Sequence, residues 1–187
     1  DNRRQGISVV GGVNVVVENN WIHHTQGSEP QFGIDIEGPN YTNRDILIRN
    51  NSFYQNQGGD YVNTDGRNVW LIDNEMDQTG LDKPQTDGPI IFWRKSDQII
   101  VGNKVTVTIG NGENGNWGLI SYANGSATSV ANIIENNVFH GGGINVADMD
   151  YLKISGNTVY NHNFVAWSVS CLQFDDNAVN DNGQEYY

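Results

Sequence analysis

The sequence predicts an all-β solenoid, in which short strands wind into about seven stacked coils. Three observations predict this fold. A repeat anchored on asparagine recurs along the chain, a second series of strand starts led by glycine falls between the anchors, and no long stretch carries the 3.6-residue apolar period of a helix. Units of two or three short strands are too small to bury themselves, so each must cover the apolar face of its neighbour.

The asparagine anchors lie within segments that alternate as strands do. Each anchor has an apolar residue three positions before it and another two positions after it, although only 37% of the chain is hydrophobic. The alternation indicates strands, and the asparagine indicates the turn between them. We expect the anchor side chains to stack inside the coils as a ladder of hydrogen-bonded amides. The anchors are Asn20, Asn51, Asn74, Asn103, Asn137, Asn157 and Asn177.

The glycine-led segments supply a further strand to each coil. In these segments a glycine precedes a short run typical of a strand. Successive anchors are separated by 20 to 34 residues. Loops of different length, lying outside a constant wall of strands, explain this variation. The segments begin at Gly6, Gly33, Gly59, Gly88, Gly118 and Gly143.

Composition limits the partners of the protein. Asp and Glu number 22 against 10 Lys and Arg, which gives a formal net charge of −12. We expect no nucleic-acid partner, because binding to phosphate backbones depends on clustered cations. We also expect no membrane insertion, since no apolar run approaches the roughly 20 residues that cross a bilayer. One domain is expected over residues 1–187, as a segment of a longer chain, because neither end shows the cap that a solenoid needs.

The anchored coils resemble the right-handed parallel β-helix, or pectin-lyase-like, superfamily over essentially the whole chain. Residues 2–9 and 33–37 resemble, more narrowly, the β-helix proteins of bacteriophage tail spikes and appendages that bind or degrade cell-surface glycans. In that subgroup Pro-Asn often follows the glutamate directly, whereas here Gly38 stands before Pro39 and Asn40. The resemblance implies a right-handed parallel β-helix of about seven coils. It also implies that the protein is extracellular or lies on a virion surface, and that a homotrimer is one assembly it could form.

Two carboxylates on the second glycine-led strand are the candidates for catalysis. Alternation directs Ile34 and Ile36 inward, and Asp35 and Glu37 outward. Their Cα atoms would lie about 6.6 Å apart, so the carboxyl groups could approach the separations found in glycosidases. Proximity would raise the pKa of one of them, as a general acid requires. The alternative interpretation is that these outward side chains only interact with water.

Neighbouring coils are expected to add substrate-binding groups to the same face. Aromatic rings stack on the apolar faces of sugars, while charged and amide groups bind hydroxyls. The alternative is that the aromatic residues cap the core or contact a sister subunit. The predicted binding residues are Arg3, Arg4, Tyr61, Asn63, Asp65, Trp93, Arg94 and Tyr122.

No cofactor or metal site is predicted, because the chain has no P-loop, Rossmann glycine pattern or zinc-ligand spacing. Calcium stays open, since four side chains near the acid pair offer oxygen ligands, although no EF-hand loop is present. Those side chains are Asp35, Glu37, Asn63 and Asp65.

The sequence therefore predicts a protein that recognises a cell-surface polysaccharide or teichoic-acid-like polymer. If the protein is an enzyme, the expected reaction is hydrolysis of that polymer. Asp35 and Glu37 would act as acid and as base or nucleophile. Two alternatives stay open. One is a non-catalytic receptor-binding or structural segment of a virion fibre. The other is a polysaccharide lyase or epimerase, with Arg94 or Lys95 as the base.

Overall fold

The computed structural model describes residues 3–38, 42–81, 88–93, 97–108, 117–122 and 131–180. These residues form 19 strands and no helix, and so none of them belongs to a helix that could cross a membrane. The strands are β1 Ile7–Val9, β2 Val13–Glu18, β3 Trp21–His23, β4 Phe32–Ile36, β5 Asn43–Arg49, β6 Ser52–Tyr54, β7 Gly59–Asn63, β8 Gly66–Ile72, β9 Glu75–Asp77, β10 Ile90–Trp93, β11 Gln98–Val101, β12 Lys104–Thr106, β13 Leu119–Tyr122, β14 Asn132–Glu135, β15 Val138–His140, β16 Ile144–Ser155, β17 Thr158–Tyr160, β18 Phe164–Asp175 and β19 Ala178–Asn180.

All the strand pairs are parallel, and each joins strands from successive repeats. One sheet has 12 strands in the order β1-β4-β7-β10-β13-β16-β14-β11-β8-β5-β2, with β18 paired to β16. The other has seven strands in the order β19-β17-β15-β12-β9-β6-β3. The long strand β16 joins both halves of the first sheet, because its start pairs with β13 and its end with β14. The protein is therefore all-β, with parallel strands in a strongly curled sheet, which is compatible with the predicted solenoid.

The core lies where the repeat predicts it. Of the 14 apolar residues that flank the anchors, 12 are buried. The two exceptions, Phe174 and Val179, are 47% and 52% exposed and lie in the last two described strands. One continuous inward row shows how successive repeats cover each other, because all its members are fully buried and in register. The row is Ile34, Tyr61, Ile90, Leu119 and Ile144.

The predicted asparagine ladder is confirmed. From Asn20 to Asn177, the Nδ2 of each anchor donates to the Oδ1 of the next at 2.9 to 3.0 Å. The backbone N of each anchor donates to the same Oδ1. Each buried carboxamide therefore forms hydrogen bonds with the backbone of neighbouring repeats as well as with the next anchor.

The residue before each anchor has a left-handed backbone, with φ between 50° and 70°. Asn, Asp or Gly occupies every one of these positions, since these residues tolerate that conformation best. The strands on either side of the anchor can therefore change direction within two residues. The positions are Asn19, Asn50, Asp73, Gly102, Asn136, Gly156 and Asp176.

Candidate functional site

The acid pair lies at one end of an outward row of residues on the 12-stranded sheet. Asp35 pairs with Val62, Val62 with Ile91, and Ile91 with Ile120. Paired residues in a parallel sheet point to the same side, so this row faces away from the core. Its three apolar members are nevertheless buried, and they form with Phe32 a hydrophobic cluster separate from the core. Asp35 therefore adjoins an apolar surface and has limited contact with water.

An open groove of about 390 Å³ lies over this row. The carboxyl groups of Asp35 and Glu37 line it on β4 and just beyond, and the half-exposed indole of Trp93 lines it at the end of β10. The structure thus brings together three of the predicted site residues. The other lining residues are Glu29, Pro30, Phe32, Val62, Thr64 and Ile91.

Hydrogen bonds hold one side of the Asp35 carboxyl group. The Nε2 of Gln5 donates to Asp35 Oδ2, and the Oγ of Ser8 donates to Gln5 Oε1. Asp35 as a residue is only 4% exposed, and its Oδ1 is buried without a hydrogen-bond partner among the described residues. One oxygen is thus fixed by the protein, while the other can carry a proton.

Electrostatics favour the protonated form of Asp35. Burial raises the pKa of this carboxyl group from 3.8 to about 7, and the negative charge of Glu37 adds to the effect. The hydrogen bond from Gln5 and the positive charge of Arg4 lower the pKa and only partly compensate. Near neutral pH a substantial fraction of Asp35 is therefore protonated.

Tyr61 and Asn63 do not lie on the groove, and the prediction of their outward placement is wrong. Tyr61 pairs with Ile34 and Asn63 with Ile36, so both point into the core, where they are fully buried. The hydroxyl of Tyr61 and the Nδ2 of Asn63 both donate to Gln98 Oε1, at 2.9 and 3.0 Å. Burial also raises the pKa of Tyr61. The outward positions of β7 and the following turn belong to Val62 and Thr64, which line the groove.

Asp65 supports a turn instead of lining the groove. Its Oδ2 accepts hydrogen bonds from the backbone N of Thr42 at 3.3 Å and from the Nδ2 of Asn43 at 3.2 Å, and the residue is buried. Since Asn63 is also turned away, the four side chains considered for calcium are not assembled. Among the residues that the structure describes, no group of three or more His, Cys, Asp and Glu is arranged to hold a metal ion.

The structure describes the side chains of only some of the remaining predicted site residues, which are the cations and Tyr122. Arg3 and Arg4 are exposed, and Arg4 is close enough for its charge to lower the pKa of Asp35. The backbone of Tyr122 pairs with Trp93, but its side chain lies outside the described part of the chain. Arg94 and Lys95 also lie outside it.

Several groove residues were missed by sequence reasoning, although one signal was present. Strand β10 is an unbroken apolar run, Ile-Ile-Phe-Trp, and β13 opens with Leu-Ile; adjacent apolar residues of this kind are typical of strands covered on both faces. That pattern predicts an apolar outer surface at Ile91 and Ile120. No comparable signal marks Gln5 or Glu29, which approach the site from other parts of the chain.

Comparison of the chain with protein-family models, with curated proteins and with solved structures gave no match. The resemblance to the pectin-lyase-like superfamily therefore stays a prediction.

Proposed function

We propose that this protein is a right-handed parallel β-helix of about seven coils that binds and hydrolyses a cell-envelope polysaccharide in the groove over β4, β7 and β10. The strand order and the asparagine ladder support the fold. One observation carries the function: a buried groove carboxyl group with a pKa of about 7, Asp35, lies two residues from a second carboxyl group, Glu37. A location at a virion or cell surface and a homotrimeric assembly belong to the same proposal.

In this mechanism Asp35 is the general acid. Its proton passes to the glycosidic oxygen as the bond from that oxygen to the anomeric carbon breaks. The Asp35 carboxylate that remains is stabilised by the hydrogen bond from Gln5 and by the charge of Arg4. A pKa of about 7 allows the group to be protonated before the step and ionised after it.

Glu37 acts on the anomeric carbon, either as a base that activates water or as a nucleophile that forms a glycosyl–enzyme intermediate. In both cases one water molecule is consumed. Its hydroxyl joins the anomeric carbon. When Glu37 is the base, the remaining proton of the water passes to Glu37, and exchange with the solvent then returns both carboxyl groups to their starting forms. When Glu37 is the nucleophile, that proton passes to Asp35 and restores the acid. Glu37 is only half-buried, so water and substrate can reach it from the open side of the groove.

Substrate binding is assigned to Trp93 in the groove and to two exposed cations outside its described lining. Trp93 is 47% exposed and offers a ring face on which a sugar can stack, two coils away from Asp35. Arg3 and Arg4 lie exposed on the side of the first coil and can donate hydrogen bonds to hydroxyl groups of the polymer.

The test uses purified envelope polysaccharides and measures newly formed reducing ends. Asp35→Asn and Glu37→Gln should each lower turnover by about 100- to 10,000-fold, whereas binding should change little, because the amides keep the shape of the acids. Asp73→Asn is the control: it also replaces one carboxyl group by an amide, but at an exposed residue in the turn before Asn74, away from the groove. It should leave both quantities unchanged.

Other outcomes separate the alternatives. Hydrolysis that survives both groove substitutions would remove the acid pair from the mechanism. Unsaturated products, read by ultraviolet absorbance, would indicate a lyase and direct attention to Arg94 and Lys95. Binding without any turnover by the wild-type protein would indicate a non-catalytic receptor-binding segment.

A further inference from the structure

The described lining of the groove carries an excess of negative charge. Three of its lining side chains bear carboxyl groups, Glu29, Asp35 and Glu37, and no Lys or Arg is among the described residues that line it. At Asp35 the charge of Glu37 has a larger effect than the opposite charge of Arg4. The protein as a whole has a formal net charge of −12. An anionic polymer would therefore meet repulsion both on approach and within the site.

The floor of the groove is apolar. Phe32, Val62 and Ile91 are 5%, 4% and 3% exposed, and they separate the acid pair from Trp93. Methyl groups on a bound sugar would replace water on this surface favourably, whereas hydroxyl groups directed at it would lose hydrogen bonds with water.

We propose that the groove selects an uncharged polysaccharide whose sugars carry methyl-bearing substituents, such as acetyl groups or 6-deoxy carbons. This proposal rests on the proposed function and narrows it. It argues against polymers rich in uronic acids or phosphate, and hence against a teichoic-acid-like substrate. Repulsion by Glu29 and Glu37 excludes the anionic polymers, and contact with Phe32, Val62 and Ile91 favours the methyl groups.

The experiment uses an array of purified capsular and cell-wall polysaccharides, each in chemically matched forms. Native uronate-containing polymers are compared with their carboxyl-reduced forms, and acetylated polymers with forms deacetylated by mild alkali. Carboxyl reduction should increase binding roughly tenfold, and deacetylation should weaken it by a similar factor. Added salt should reduce the difference in binding between native and carboxyl-reduced polymers, because salt screens charge. It should leave the difference between acetylated and deacetylated polymers unchanged.

Two variants assign these preferences to the groove. Glu29→Gln should increase binding of the native anionic polymers, whereas Asp73→Asn, which removes an equal charge outside the groove, should not. Val62→Thr keeps the shape of the floor but adds a hydroxyl, so it should reduce the advantage of acetylated over deacetylated polymers.

The outcomes distinguish this inference from the proposed function. Turnover of anionic polymers that equals or exceeds turnover of their carboxyl-reduced forms would overturn the inference and leave the hydrolase proposal standing. An equal response to Glu29→Gln and Asp73→Asn would also overturn it, since the selectivity would then come from net charge. If no polysaccharide on the array is bound or cleaved, both proposals fail.

Discussion

Replacing Asn137 by leucine tests the asparagine ladder at its most buried part. Asn137 is fully buried, and its side chain makes four hydrogen bonds. Its Nδ2 donates to the backbone O of Ile100 and to Asn157 Oδ1, both at 2.9 Å. Its Oδ1 accepts from the backbone N of Asn103 at 2.9 Å and from Asn103 Nδ2 at 3.0 Å.

The expected loss follows from the groups left behind. Leucine has a similar size but no polar atoms, so the backbone N of Asn103 loses its acceptor and the backbone O of Ile100 loses a donor. Asn103 Nδ2 keeps Leu71 O as an acceptor at 2.8 Å, and Asn157 Oδ1 still accepts from the backbone N of residue 137 at 3.0 Å. Each buried backbone group left unsatisfied costs about 1–3 kcal/mol, so the free energy of unfolding should fall by about 2–4 kcal/mol.

The assay is urea unfolding followed by circular dichroism, with Asn20→Leu as the matched control. Asn20 belongs to the same ladder, but it is exposed, so water can replace the lost partners. The control should therefore lose less than about 1 kcal/mol. A loss at Asn137 that is no larger than the loss at Asn20 would refute the argument that burial of the ladder determines its contribution.

Three further predictions concern pH, packing and secondary structure. Turnover by the wild-type protein should fall as the pH rises above about 7, because the general acid Asp35 loses its proton there; a rate that increases steadily to pH 9 would contradict the assignment. Asp60 is fully buried, and burial raises its pKa to about 7, so its contribution to stability is complete below its unfolded value of 3.8 and is lost as the pH rises through about 7. The unfolding midpoint of Asp60→Asn, measured relative to that of the wild type, should therefore be higher at pH 9 than at pH 5. The same midpoint difference at both pH values would exclude this effect. In Gly143→Ala the new Cβ would lie 2.1 Å from the backbone O of Asn163. The free energy of unfolding, measured by thermal unfolding, should therefore fall by about 1–3 kcal/mol. An unchanged unfolding midpoint would contradict this close packing. Far-ultraviolet circular dichroism should show β-structure, and a helical spectrum would contradict the fold.

The sequence by itself determined the repeating unit. The apolar positions around each anchor, the amide ladder and the Asn, Asp or Gly before each anchor are local features that recur in every repeat. Each repeat pairs with a similar repeat, so a local pattern is enough to predict which residues face the core. Alternation also correctly placed Ile34 and Ile36 inward and Asp35 and Glu37 outward.

Only the tertiary structure decided which outward residues share a site. Aligning the strands on their leading glycines would pair Gly33 with Gly59, whereas the structure pairs Phe32 with Gly59. This difference of one residue moves every side chain of β7 to the opposite face, which is why Tyr61 and Asn63 lie in the core. The sequence did not predict that burial raises the pKa of Asp35, because this burial comes from residues of other repeats. Register and burial depend on contacts between repeats, and a pattern within one repeat does not encode them.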